Sequence, residues 1–209
     1  GWRDGAVARH VHQFPVGAYV QRNPVTEGEL REAINDARSG YVSLVGPPGA
    51  GKSTLLQSAL EAETDLLLVR YLAYVPGAAQ GVGRGEAEDF FDDVNTYLKA
   101  TGLQGVRFCD ESLYERRAQF NALLQQAGER FQGQGVRTLI VIDGLDHVPR
   151  EDRPQHAFLA ELPLPQAIPD GVIFVLGTQR LDLADIKPAV QDQAGSAARR
   201  VDAHPLTRE

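Results

Sequence analysis

The stretch LVGPPGAGKSTLL, residues 44–56, constrains this chain more than any other. Within it, GPPGAGKS at 46–53 has the spacing G-x-x-x-x-G-K-[ST]. A short apolar run, YVSLV at 41–45, precedes it, and a segment with helical character follows to about Ala62. A strand, a glycine turn and a helix in that order build a phosphate-binding loop. Gly46, Gly49 and Gly51, interleaved with Pro47, Pro48 and Ala50, are expected to let the backbone curl so that successive N–H groups face one point. The helix that opens there adds its positive dipole end. Lys52 is expected to reach the β- and γ-phosphates, the Ser53 hydroxyl to ligate Mg²⁺, and Thr54 to contact the α-phosphate.

The rest of the chain alternates between strand and helix patterns. DLLLVRYLAYV (65–75), RTLIVID (137–143) and GVIFVLG (171–177) are continuous apolar runs, the pattern of strands covered on both faces in a parallel sheet. RRVDA (199–203) reads as a short fifth strand, and the polar segment 182–200 fits no clear pattern. TEGELREAINDARSG predicts a helix with Thr26 and Glu29 as a capping box, Leu30 and Ile34 on one face, and Gly40 as its stop. Further helices are predicted from Glu86 to Lys99, and from Ser112, capped with Glu115, to about Phe131. RPQHAFLAEL reads as a short helix with Pro154 in its first turn. The expectation is an α/β three-layer sandwich around a parallel sheet. Residues 1–25 read as an extended lead-in and 26–207 as one core domain.

A phosphate loop needs a carboxylate across from it to hold the metal's shell. TLIVIDGLDH supplies Asp143 at the end of a buried apolar run, and ligands bind at strand carboxyl ends in such sheets. Ser53 and Asp143 are therefore the expected metal ligands. Asp146, three residues on, is placed to polarise an attacking water. The fourth run ends in GTQR, which brings Thr178 and Arg180 to the same edge. A hydroxyl there can hold the water, and a guanidinium can sense the γ-phosphate through paired hydrogen bonds. RGEAEDFFDD (84–93) reads as a helix start with acids at its positive end, or as a partner contact made by Arg84.

Composition narrows the function classes. A net charge of −7 disfavours a broad nucleic-acid-binding face. The single cysteine, Cys109, excludes an internal disulfide. No apolar run approaches the roughly 20 residues of a membrane span, and no secretory signal opens the chain, so a cytoplasmic setting is expected. The sequence begins at Gly1 and holds no methionine, which suggests a piece of a longer polypeptide.

Taken together, GPPGAGKST, LIVIDGLDH, LPLPQAIPDGVIFVLGTQR and HPLTRE resemble the STAND class of signal-transduction NTPases, relatives of the AAA+ ATPases, and especially its NACHT-like branch. The resemblance implies a sheet order of 5-1-4-3-2, ATP or ADP with Mg²⁺, and a switch role in a larger bacterial signalling or defence protein. It further implies that other domains of the same chain are partners and that the full-length protein forms a nucleotide-dependent homo-oligomer. VQRNPVTEGELREAI resembles the class's entry segment, which would place Arg22 near the nucleotide. His147 stands where the class often has an acid, which implies slow hydrolysis or a non-hydrolysing, ADP-binding scaffold. A small-molecule kinase would carry a lid with several arginines, and residues 76–85 offer only Arg84. The guanine-reading N-K-x-D and the transporter signature L-S-G-G-Q are both missing from the sequence, and the acidic balance disfavours a DNA-dependent motor.

Overall fold

A computed structural model describes residues 23–75, 84–106 and 112–204. Five strands, β1 (Gly40–Val45), β2 (Leu66–Leu72), β3 (Arg137–Asp143), β4 (Val172–Thr178) and β5 (Arg200–Asp202), form one parallel sheet in the order β2-β3-β4-β1-β5. This is the expected order read from the opposite edge. Among the described residues the α-helices are α1 (Pro24–Asp36), α2 (Lys52–Ala59), α3 (Ala87–Ala100), α4 (Leu113–Gln134) and α5 (Pro188–Ala194). The last of these accounts for part of the segment without a clear pattern.

Alternation along the strands sorts the layers. Val42 and Leu44 of β1, Leu139 and Val141 of β3, and Ile173 and Val175 of β4 share one buried cluster with Leu30 and Ile34 of α1 and Leu55 and Leu56 of α2. The intervening residues Tyr41, Ile140, Ile142, Phe174 and Leu176 join the other cluster, with Phe90 of α3 and Phe120 and Leu123 of α4. Because both faces are covered, both parities are apolar, and the strands read as continuous runs.

Several local expectations change. Helix α1 begins at Pro24, and its N-cap is Asn23, whose side chain accepts from Val25 N at 3.0 Å and Thr26 N at 3.3 Å. Proline at the first helical position loses no hydrogen bond, so this start outcompetes the Thr26–Glu29 box. Thr26 is buried instead, and its hydroxyl accepts from His204 N at 3.3 Å. Gly40 does not stop α1, which ends in an extended Ala37; Gly40 opens β1 at φ 94°, against the carboxamide of Gln193. Pro154 lies outside any helix, and its segment forms a 3-10 turn at Phe158–Glu161. Ser112 does cap α4, accepting from Glu115 N at 3.3 Å. Arg84 is no free contact for a partner. It is buried, pairs with Asp93 at 3.0 Å, lies 4.4 Å over the Tyr71 ring and donates through Nε to Leu72 O, fastening the start of α3 to the end of β2.

Candidate functional site

Parallel register lines up the site. Leu72, Asp143, Gly177, Leu44 and Val201 form one row across the sheet, at the carboxyl ends of the strands. The phosphate loop leaves β1 just beyond that row, and Gly46 N donates to Thr178 O at 3.2 Å, tying the loop to the end of β4. Gly49 and Gly51 both hold φ at 77°, and Gly51 is the left-handed N-cap of α2. These two glycines are required by conformation, since a Cβ on either would meet no atom within 4 Å. Gly46 has a different reason. Its φ is ordinary, but a Cβ would stand 2.8 Å from the Ala203 Cβ, so this glycine serves close packing beneath the loop and not its curl.

Pro47, Pro48 and Gly49 are exposed, as is Ser53, while Ala50 and Thr54 are half-buried. Lys52 Nζ donates to Gly46 O at 2.7 Å and Pro47 O at 3.0 Å. Burial lowers the Lys52 pKa, and the fields of Asp146 and Asp143 oppose that shift. Asp143 is buried on the α2 face, where it lines a small cleft together with Ser53. Burial raises the Asp143 pKa, against the Ser53 hydroxyl, the charge of Lys52 and the Gly144 N–H, all of which favour the ionised form. Gly177 makes room for this carboxylate. A Cβ there would stand 2.4 Å from Asp143 Oδ1 and 2.6 Å from Leu56 Cδ1. Gly177 was not among the sequence-derived site residues, although a lone glycine inside an apolar strand is a signal of close approach.

Asp146 is also buried, and both its oxygens face Gln179. Gln179 N donates to Oδ1 at 3.1 Å and Gln179 Nε2 to Oδ2 at 2.6 Å. Gln179 is a second residue that the sequence did not single out, because nothing local distinguishes it from its neighbours Thr178 and Arg180. His147 lies with Nε2 3.9 Å from Asp146 Oδ2 and stacks on Tyr74 at 4.2 Å. Thr178 is brought to the same edge, but alternation turns its side chain to the face away from α2. Its hydroxyl donates to Arg180 O at 2.8 Å. Arg180 is exposed and lies near Asp182, with Nε 3.7 Å from Oδ1. The structure therefore gathers Lys52, Ser53, Asp143 and Asp146, while the Thr178 hydroxyl engages the Arg180 backbone and the Arg180 side chain lies in solvent near Asp182. Arg22 lies outside the described residues.

A hydroxyl and a carboxylate next to a glycine loop are hard oxygen donors suited to Mg²⁺ held jointly with phosphate oxygens. Among the described residues no group of three or more His, Cys, Asp and Glu could form a metal cage of protein alone. The donor set thus fits Mg²⁺ carried with a nucleotide.

The loop, the strand acid and the sheet order define a P-loop nucleotide-binding ATPase fold. The chain belongs to the AAA ATPase domain family, whose model matches residues 27–175. Solved structures with this fold include the Walker-type ATPase of Pyrococcus abyssi, 16% identical with a TM-score of 0.51, over 87% of this chain and 53% of that one. Cdc6p of Pyrobaculum aerophilum is 14% identical with a TM-score of 0.51, over 98% of this chain and 50% of that one. The ORC2 protein of Aeropyrum pernix, solved as ADPNP–ADP complexes, is 16% identical with a TM-score of 0.50, over 94% of this chain and 50% of that one. At these identities the likeness is one of fold, and this chain spans about half the length of the solved chains it matches. No curated protein sequence matches the chain.

Proposed function

We propose that this AAA ATPase domain binds ATP or ADP with Mg²⁺ and acts as a nucleotide-dependent switch, with slow hydrolysis. The observation that carries the reading is that Ser53, at the start of α2, and the buried Asp143 line one small cleft beside an open glycine loop. Loop N–H groups and Lys52 would cradle the phosphates, and Thr54 would reach the α-phosphate. Mg²⁺, when bound through Ser53 and Asp143, would neutralise charge between the β- and γ-phosphates. Asp146, held by Gln179, is the proposed acid on the γ-phosphate side; Thr178 and Arg180 would have to turn to take part. Arg22 is proposed to approach the nucleotide from the lead-in segment.

The NACHT-like STAND assignment is finer than the family match, and it rests on DGLD at 143–146 and GTQR at 177–180. Signalling or defence in bacteria, domains of the same chain as partners, nucleotide-dependent oligomers and a cytoplasmic setting are proposed on that resemblance. Among the described residues no helix is long and apolar enough to cross a membrane. The acidic net charge is the one argument against nucleic acid as a partner, and the fold adds nothing to it.

Titration calorimetry with MgADP and MgATP tests the reading. The parent protein should bind both, and Lys52→Ala should lose binding while keeping its fold, because Lys52 serves the loop and not the core. Equal binding by the variant would overturn the assignment. A non-hydrolysing ADP-binding scaffold is the second reading, favoured by the engagement of both Asp146 oxygens with Gln179. Phosphate release by the purified protein separates the two.

A further inference from the structure

Arg70 is a charged residue in the middle of β2, a strand that otherwise reads as apolar. It is buried, and its guanidinium donates to Leu56 O at 2.8 Å, to Gln57 O at 3.1 Å and to Leu60 O. Those carbonyls belong to the end of α2, the helix whose first residues are Lys52 and Ser53. A helix leaves its last carbonyls without internal partners, and a cation at that end complements its dipole. With only 8 residues, α2 is too short to persist without tertiary anchors. Arg70 supplies one at the end opposite the phosphate loop, and a small cleft lined by Ser53, Gln57, Arg70 and Asp143 joins the two ends.

We propose that Arg70 is a positioning residue for the nucleotide site: by fastening the far end of α2 to β2, it sets where Lys52 and Ser53 stand relative to Asp143. The inference rests on the nucleotide-binding reading above. The same fold contains a matched control. Arg137 of β3 donates to Ile34 O at 2.7 Å and Ala37 O at 2.6 Å, closing the end of α1, which carries no loop residue.

The test compares Arg70→Gln with Arg137→Gln by urea unfolding and by ADP titration, once with Mg²⁺ and once with EDTA. Both variants should lose stability. Only Arg70→Gln should weaken MgADP binding, by about tenfold, as loss of a group that orients a metal ligand does. It should also shrink the gain in affinity that Mg²⁺ gives, because Ser53 is the displaced ligand. Arg137→Gln should stay within about twofold of the parent on both counts. Arg70→Lys keeps the charge but not the planar fork, so it should fall between parent and Arg70→Gln, and it carries the test if Arg70→Gln does not fold. Equal shifts in the Arg70 and Arg137 variants would show a merely structural role and overturn the proposal, as would parent-like affinity and Mg²⁺ gain in Arg70→Gln. A parent protein that binds no ADP under either condition would remove the nucleotide reading, and this inference with it.

Discussion

Gly177→Ala tests the packing of the site most directly. The added methyl would sit 2.4 Å from Asp143 Oδ1 and 2.6 Å from Leu56 Cδ1. Ordinary contact begins near 3.5 Å, so the neighbours must yield by about 1 Å. The backbone at Gly177 is not in the left-handed region, so the perturbation is steric and confined to the α2 face of the sheet. β4 is central, paired with β1 and β3, and cannot shift cheaply. Overpacking of this size costs about 1–3 kcal/mol, which for a domain of this length lowers Tm by roughly 3–10 °C. The movable group is the Asp143 carboxylate, which would be pushed from Ser53. MgADP affinity should then fall about tenfold or more, while ADP affinity in EDTA, which depends on the loop N–H groups, changes less. Differential scanning fluorimetry and titration with and without Mg²⁺ read both effects. A variant with parent Tm and parent MgADP affinity would refute the claim that Gly177 reserves space for the carboxylate. Equal losses with Mg²⁺ and with EDTA would refute the claim that the damage passes through the metal ligands.

Two other substitutions separate the acids. Asp143→Asn should lose Mg²⁺-dependent binding yet stabilise the nucleotide-free fold at pH 7. Burial raises the folded-state pKa of Asp143, so its contribution is best at low pH and worsens as pH rises through that pKa. The advantage of Asn in urea unfolding should therefore be present at pH 7 and shrink as pH falls toward about 4; a pH-independent difference would contradict the burial argument. Gln179→Ala removes the side-chain donor at 2.6 Å from Asp146. If Asp146 works on the attacking water, phosphate release should drop at least about tenfold with ADP affinity unchanged. A faster rate would mean that Gln179 restrains Asp146, and an unchanged rate would show that the Gln179 side chain does not position Asp146 for chemistry.

Much of this protein is written in short-range terms. The strand, glycine loop and helix at 41–62 are local: dihedral freedom at Gly49 and Gly51, a helix start and an apolar run need no distant partner to be read. The continuous apolar strands carry the fact of two covered faces, and Asp143 declares itself by ending one of them. Capping was only partly legible. Ser112 works as its local pattern predicts, whereas at α1 two caps compete, and Asn23 with Pro24 wins while Thr26 is claimed by His204, 178 residues away in sequence. Other assignments exist only in three dimensions. Which parity of each strand faces α2 decides that Asp143 meets Ser53 and that Thr178 turns away. The approach of the chain after β5 decides that Gly46 is needed for packing. Register between β3 and β4 brings Gln179 to Asp146, and the crossing of α2 over β2 brings Arg70 to the carbonyls of Leu56, Gln57 and Leu60. A sequence states what each residue can donate, accept or exclude; pairing register and helix packing select the partner, because both sum many weak contacts between segments far apart in the chain.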